Sequence, residues 1–186
     1  MKVYGPKGES DRIPGIDVAL DGGQDLKFGG TTTSIMNVGG HTLGHIAYHF
    51  GADGNNDVFC GDALFALGCG KMFEGTPQQF WTSLKGLREL PDETKVYCAH
   101  EYTTGNAKFA ASVEPGNKAL MDRVEQIKKL RAEGKPTVPS LMSEEKETNP
   151  FLRCDKSEEI RNNIGVVAGD SDEIAFGKCR KAKDNF

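Results

Sequence analysis

The sequence predicts an α/β unit over residues 1–103 followed by an all-helical part over residues 104–186. Three observations carry this. Short apolar runs end at turns that bear His41, Asp62 and His100. A strand–loop–helix–strand order runs through residues 57–98, the pattern of α/β layering. From Thr104 onward the apolar residues recur at helical spacing.

The elements follow in order. Residues 1–30 are rich in Gly, Asp and Lys, with strand-like pieces at Lys2–Tyr4 and Ile16–Leu20. Gly29-Gly30 marks a hairpin turn into the β-branched run Thr31–Val38. His45–Phe50 alternates Ile46, Tyr48 and Phe50 against Ala47 and His49, and reads as a strand. Gly51–Asn56 is a polar turn, Val58–Cys60 a short buried strand, and Gly68–Gly75 a glycine-rich loop. Thr76 suits the N-cap and Pro77 the first position of a helix with an apolar stripe of Phe80, Trp81, Leu84, Leu87 and Leu90. Pro91-Asp92 ends that helix, and Val96–Cys98 is the next strand. Asn117–Glu133 is a helix stopped by Gly134. Ser143–Glu147, Asp155–Asn163 and Ser171–Lys183 are three more.

Composition narrows the function. The chain has 186 residues, 37% hydrophobic and 27% charged, enough for one sizeable core. A net charge of −4 gives no overall field for nucleic acid or an anionic membrane. No apolar stretch reaches spanning length. The five cysteines are odd in number and form no CxxC pair, so reduced thiols in a cytoplasmic setting are expected.

Chemistry gathers at the strand ends. His41 follows Gly39-Gly40, Asp62 follows Cys60-Gly61, and His100 follows Cys98-Ala99. Ligand sites in sheets flanked by helices collect at such places, and two imidazoles with a carboxylate suit zinc, iron or manganese. Taken singly, each residue is more ordinarily a capping or hydrogen-bonding group. His45 is a further ligand or a support that orients the loop, and support is favoured. Glu101 is a candidate acceptor for a ring N–H. Arg180 and Lys183 share one face of the last helix; they are a solvated positive helix end or an anchor for an anionic substrate, with Lys71 as a third cation. Cys69 is the one thiol worth testing for reactivity, although core or loop packing is the favoured explanation.

Four stretches carry a resemblance. They are Gly40-His41-Thr42-Leu43-Gly44-His45, Gly61-Asp62-Ala63-Leu64-Phe65, Gly68–Thr76 and Cys98-Ala99-His100-Glu101-Tyr102. With Thr148-Asn149-Pro150-Phe151 and Arg180–Asp184, they resemble glyoxalase II, the hydroxyacylglutathione hydrolases of the metallo-β-lactamase superfamily. The resemblance implies the C-terminal half of an αββα sandwich over 1–103 and a helical glutathione-binding domain over 104–186. It implies hydrolysis of S-(2-hydroxyacyl)glutathione thioesters, such as S-D-lactoylglutathione, by a metal-activated hydroxide. His41, Asp62 and His100 match metal ligands, with zinc and iron as the family's ions. Lys71, Phe73, Tyr102, Asn106, Arg180 and Lys183 match positions that hold the glutathione part. Phe73 stands where the family usually has Tyr.

The family's HxHxDH cluster does not occur in this sequence. The expectation is therefore a chain like a glyoxalase II without its N-terminal half, weakly active or inactive, with one weak metal site and an uncovered sheet face. A monomer is expected, cytoplasmic or mitochondrial. The alternative is a non-catalytic glutathione-thioester binding module. A sulfur dioxygenase of the same superfamily is a third reading, against which the helical tail argues.

Overall fold

The computed structural model describes every residue except Ala52, Asp53 and Asn55, so the expected polar turn at 51–56 lies partly outside the described residues. Its centre is a six-stranded sheet. β3 (Asp25–Phe28), β4 (Thr31–Asn37), β5 (Ile46–Phe50) and β6 (Asp57–Gly61) form an antiparallel meander. α1 (Pro77–Arg88) then crosses over to β9 (Lys95–Cys98), which pairs parallel to β6. Parallel pairing requires a crossover of this kind. β1 (Tyr4–Pro6) and β2 (Val18–Leu20) form a separate parallel pair, and β7 (Leu64–Phe65) and β8 (Gly68–Cys69) a small hairpin.

α1 forms as its sequence dictates. The Thr76 hydroxyl accepts from the Gln79 N–H at 3.2 Å and Pro77 opens the first turn. Phe80, Trp81, Leu84 and Leu87 face one way and are buried. They cover Val38, Ala47, Val58, Cys60 and Val96 on one side of the sheet. That core continues without a break into Phe151, Phe176 and Cys179. Trp81 stacks on Phe176 at 5.9 Å and Phe80 meets it edge-on at 5.5 Å.

The opposite sheet face is partly open. Leu20, Ile35 and Ile46 make a small cluster there with β1 and β2. Beyond it Phe50 meets Phe59 edge-on, Phe59 stacks on Tyr97, and Phe59 is 44% exposed.

The second half carries α2 (Thr103–Val113), α3 (Lys118–Ala132), α4 (Met142–Thr148), α5 (Glu158–Asn163) and α6 (Asp172–Asp184). It is not all-helical. β10 (Ser140–Leu141) pairs antiparallel with β9 and extends the sheet. The expected helix at 155–163 starts later, because Ser157 caps it while Asp155 pairs with Arg88 at 2.9 Å. Gly68-Cys69, expected as loop, is a strand. β3 carried no apolar signal because most of it is exposed on the sheet edge.

Removing the Trp81 indole should leave a cavity at the joint of α1 and α6. Trp81→Ala is expected to lower the unfolding free energy by about 3–5 kcal/mol in urea denaturation. A loss below about 1 kcal/mol would mean that this joint is not close-packed.

Candidate functional site

β4, β6 and β9 run in the same direction, so their C-terminal ends share one edge of the sheet. His41, Asp62 and His100 follow those three ends. Two glycines make the approach close. Gly61 has φ +53, and a Cβ there would stand 2.7 Å from His45 Nε2. At Gly70 a Cβ would meet the Asp62 carbonyl oxygen at 2.0 Å and His41 Nδ1 at 3.0 Å. A side chain at either position would push the turns apart.

The imidazoles are held differently. His41 Nδ1 lies 2.7 Å from the Lys71 carbonyl, so that nitrogen carries the proton and donates. In the neutral ring this leaves the Nε2 lone pair free. His45 Nε2 sits 3.2 Å from the Asp62 N–H and 3.2 Å from the Cys60 carbonyl. Burial pulls the His45 pKa down, which favours the neutral ring accepting from Asp62. His45 therefore braces the turn that presents Asp62. His100 Nε2 stands 3.3 Å from Asp62 Oδ1. Its ring stacks on Tyr102 at 4.8 Å.

The superfamily resemblance implies a metal here. The donors fit one in kind, since Asp62 and His100 converge and His41 presents a free nitrogen. They do not fit in number. Among the described residues, no group of three His, Cys, Asp or Glu side chains is close enough to hold an ion. Two converging donors fall short of the usual three protein ligands.

Beside these strand ends lies a cavity of about 510 Å³. Lys71, Tyr102, Asn106, Arg180 and Lys183 all line it, together with Phe65, Cys69 and Asp184. The structure thus brings together five of the residues assigned to substrate from sequence. Phe73 is not among them; it packs edge-on against His41 at 5.1 Å with Lys71 Nζ 5.7 Å from its ring.

Arg180 is not a solvated helix end. It is 6% exposed and lies over the Phe151 ring at 5.0 Å. One guanidinium nitrogen donates to the Cys69 carbonyl at 2.9 Å and another pairs with Asp184 at 3.0 Å. Its Nε is buried with no partner. An unpaired buried donor is costly and calls for an acceptor. Lys183 donates to the Gly105 carbonyl at 3.1 Å and sits over Phe109 and Phe186. Burial, and then Arg180, lower its pKa.

Three further residues are placed by their neighbours. The Asn106 amide donates to the Ala66 carbonyl at 3.1 Å, so it braces the β7–β8 hairpin while lining the cavity. Glu101 does not reach an imidazole; it accepts from the Thr137 N–H at 2.9 Å and lies 3.6 Å from Arg131. Burial raises the Cys69 thiol pKa to about 11 against the pull of Arg180, which leaves it unreactive near neutrality. Sequence reading missed Glu145 and Asn149, which hold the same hairpin from inside the core. Asn149 was visible only within the Thr148–Phe151 stretch.

A larger cavity of about 640 Å³ lies on the other side of the His41 loop, between that loop and α1. Its wall is glycine, amide and hydroxyl groups with Leu20 and Leu43, and Asp21 is the one charged residue in it. It offers no cation to an anionic substrate.

Comparison with known proteins gives the family. Residues 2–100 match the metallo-beta-lactamase superfamily, and residues 101–186 match the hydroxyacylglutathione hydrolase C-terminus. The chain is 51% identical to a hydroxyacylglutathione hydrolase of Hyphomonas neptunium, covering 100% of this chain and 70% of that protein. It is 52% identical to one of Methylococcus capsulatus, covering 99% and 70%. Among solved structures, ETHE1 from Myxococcus xanthus superposes with a TM-score of 0.53 at 25% identity, covering 90% of this chain and 61% of that one. The BLEG-1 B3 metallo-beta-lactamase superposes at 0.54 with 20% identity, covering 82% and 65%, a likeness of fold. With a sheet layered on helices and a helical C-terminal part, the chain belongs to the hydroxyacylglutathione hydrolase family of the metallo-β-lactamase superfamily.

Proposed function

We propose that this chain binds S-(2-hydroxyacyl)glutathione thioesters, such as S-D-lactoylglutathione, through their glutathione part, and hydrolyses them weakly to glutathione and a 2-hydroxy acid. The observation that carries the reading is the cavity wall, on which three cationic side chains, Lys71, Arg180 and Lys183, stand together. Glutathione carries carboxylates, and a guanidinium suits them. In this reading Arg180, Lys183 and Lys71 hold the anionic ends of the substrate. Tyr102 forms the rim, Asn106 presents the oxygen of its amide, and Phe73 covers the approach to His41. Residues 104–186 then supply Asn106, Arg180 and Lys183, and residues 1–103 supply Lys71, Phe73 and Tyr102 together with His41, Asp62 and His100.

Those three are the donors the chain offers to zinc or iron. Because only Asp62 and His100 converge, we assign the 186-residue chain weak metal affinity and slow turnover. The same shortfall favours the second reading, a binding module that does not turn over its ligand. Five free cysteines suit a reducing compartment, and we assign the chain to the cytoplasm as a monomer, with a mitochondrial location as the alternative. No helix among the described residues is long and apolar enough to cross a membrane.

The test pairs turnover with binding. Purified chain is given S-D-lactoylglutathione with added zinc or iron, and with a chelator in parallel. Slow, chelator-sensitive release of glutathione is expected; none at any metal concentration would select the binding module. In calorimetry, S-methylglutathione should bind, and Arg180→Gln should weaken it about tenfold or more, the ~1.5–3 kcal/mol of a hydrogen bond to a charged group. Lys183→Ala should weaken it too. Unchanged affinity in both folded variants would overturn the reading.

A further inference from the structure

Three charged side chains outside the cavity converge on the loop that carries His41. Residues 7–12 form a short 3-10 helix that lies against this loop. Glu9 Oε1 accepts the Gly44 N–H at 3.0 Å and also the Thr42 hydroxyl. Glu74 Oε2 accepts the Leu43 N–H at 3.0 Å. Arg12 joins the two carboxylates, donating to both oxygens of Glu74 at 2.7 and 3.3 Å and standing 3.3 Å from Glu9. Three consecutive residues of the loop therefore each end on a carboxylate, and one guanidinium pairs with both.

The second carboxylate ties two segments together. Glu74 belongs to the stretch whose Lys71 carbonyl accepts from His41 Nδ1. The Phe73 N–H donates to the His41 carbonyl at 3.3 Å, and the Gly75 N–H to the Gly40 carbonyl at 3.2 Å. Arg12 thus pins the loop and also the strip that fixes the imidazole. Exposed ion pairs add little to stability. Here their oxygens also accept backbone N–H groups, so their effect lies in geometry.

We propose that Glu9, Arg12 and Glu74 are positioning residues for His41. They hold Thr42–Gly44 against residues 71–75, which keeps His41 Nδ1 on the Lys71 carbonyl and leaves the Nε2 lone pair free. The inference rests on the reading that His41 is a working group of the site.

The test is long-range ¹H–¹⁵N NMR of the histidine side chains in the full chain near pH 8. In the unmodified protein His41 should show a protonated Nδ1 and a bare Nε2. In Glu9→Ala/Glu74→Ala the His41 signals should move toward a mixture of the two tautomers, while the His45 pattern, set by Cys60 and Asp62, stays as it was. Glu74→Gln alone keeps an acceptor for Leu43 and should restore most of the His41 signature. An unchanged His41 tautomer in the folded double variant would overturn the clamp. If the double variant does not fold, Arg12→Met carries the same two outcomes, because the Arg12 side chain is half exposed. S-methylglutathione binding plays no part in this readout, so failure of the clamp and failure of the substrate reading are seen separately.

Discussion

The carboxylate of Glu145 sits at 0% exposure in the middle of the molecule, and the cavity depends on it. A buried charge is costly unless it is paired and its lone pairs are satisfied. Glu145 accepts from Arg123 at 2.5 Å, from the Leu67 N–H at 2.9 Å and from the Asn149 amide at 2.9 Å. Asn149 also donates to the Phe65 and Gly68 carbonyls at 3.2 and 3.0 Å. With Asn106 on Ala66, the backbone of the β7–β8 hairpin is held by side chains from α2, α4 and the residue that follows α4. Leu67 sits at φ 57, a left-handed conformation that costs about 1 kcal/mol or more. Its side chain is buried among Ala107, Leu120, Val124 and Ile127, which offsets that strain.

The hairpin is where the two halves of the chain meet the site. Phe65 and Cys69 line the cavity from it, and Lys71 follows directly. Lys71 lines the cavity and offers its carbonyl to His41. The cavity wall at Lys71 and the orientation of His41 are thereby linked through one residue. Phe65 and Tyr102 give a second link, since both line the cavity and both contact the His100 ring. The cavity wall and the strand-end donors form one surface.

Legibility in the sequence followed the range of the interactions. α1 was readable because Thr76, Pro77 and the stripe from Phe80 to Leu87 act within a few residues of one another. The strand-end positions of His41, Asp62 and His100 were readable because each follows a short apolar run. β8 and β10 were not, since two residues carry no period. The brace around the hairpin was invisible because Asn149 lies 84 residues from Phe65 and Glu145 lies 78 from Leu67. Arg180 was legible as a candidate anchor, but its burial was not, since its partner Cys69 is 111 residues away. Reading it as a helix end used its neighbours in sequence, and its burial is set by residues far from it.

Native-state hydrogen exchange at the Leu67 amide tests the central claim most directly. If the Glu145 brace locks the hairpin into the core, that amide should exchange only on global unfolding, with the same free energy as urea denaturation gives. Exchange at the rate of an exposed loop amide, in a protein whose α1 amides remain protected, would show that the hairpin opens on its own and would contradict the account.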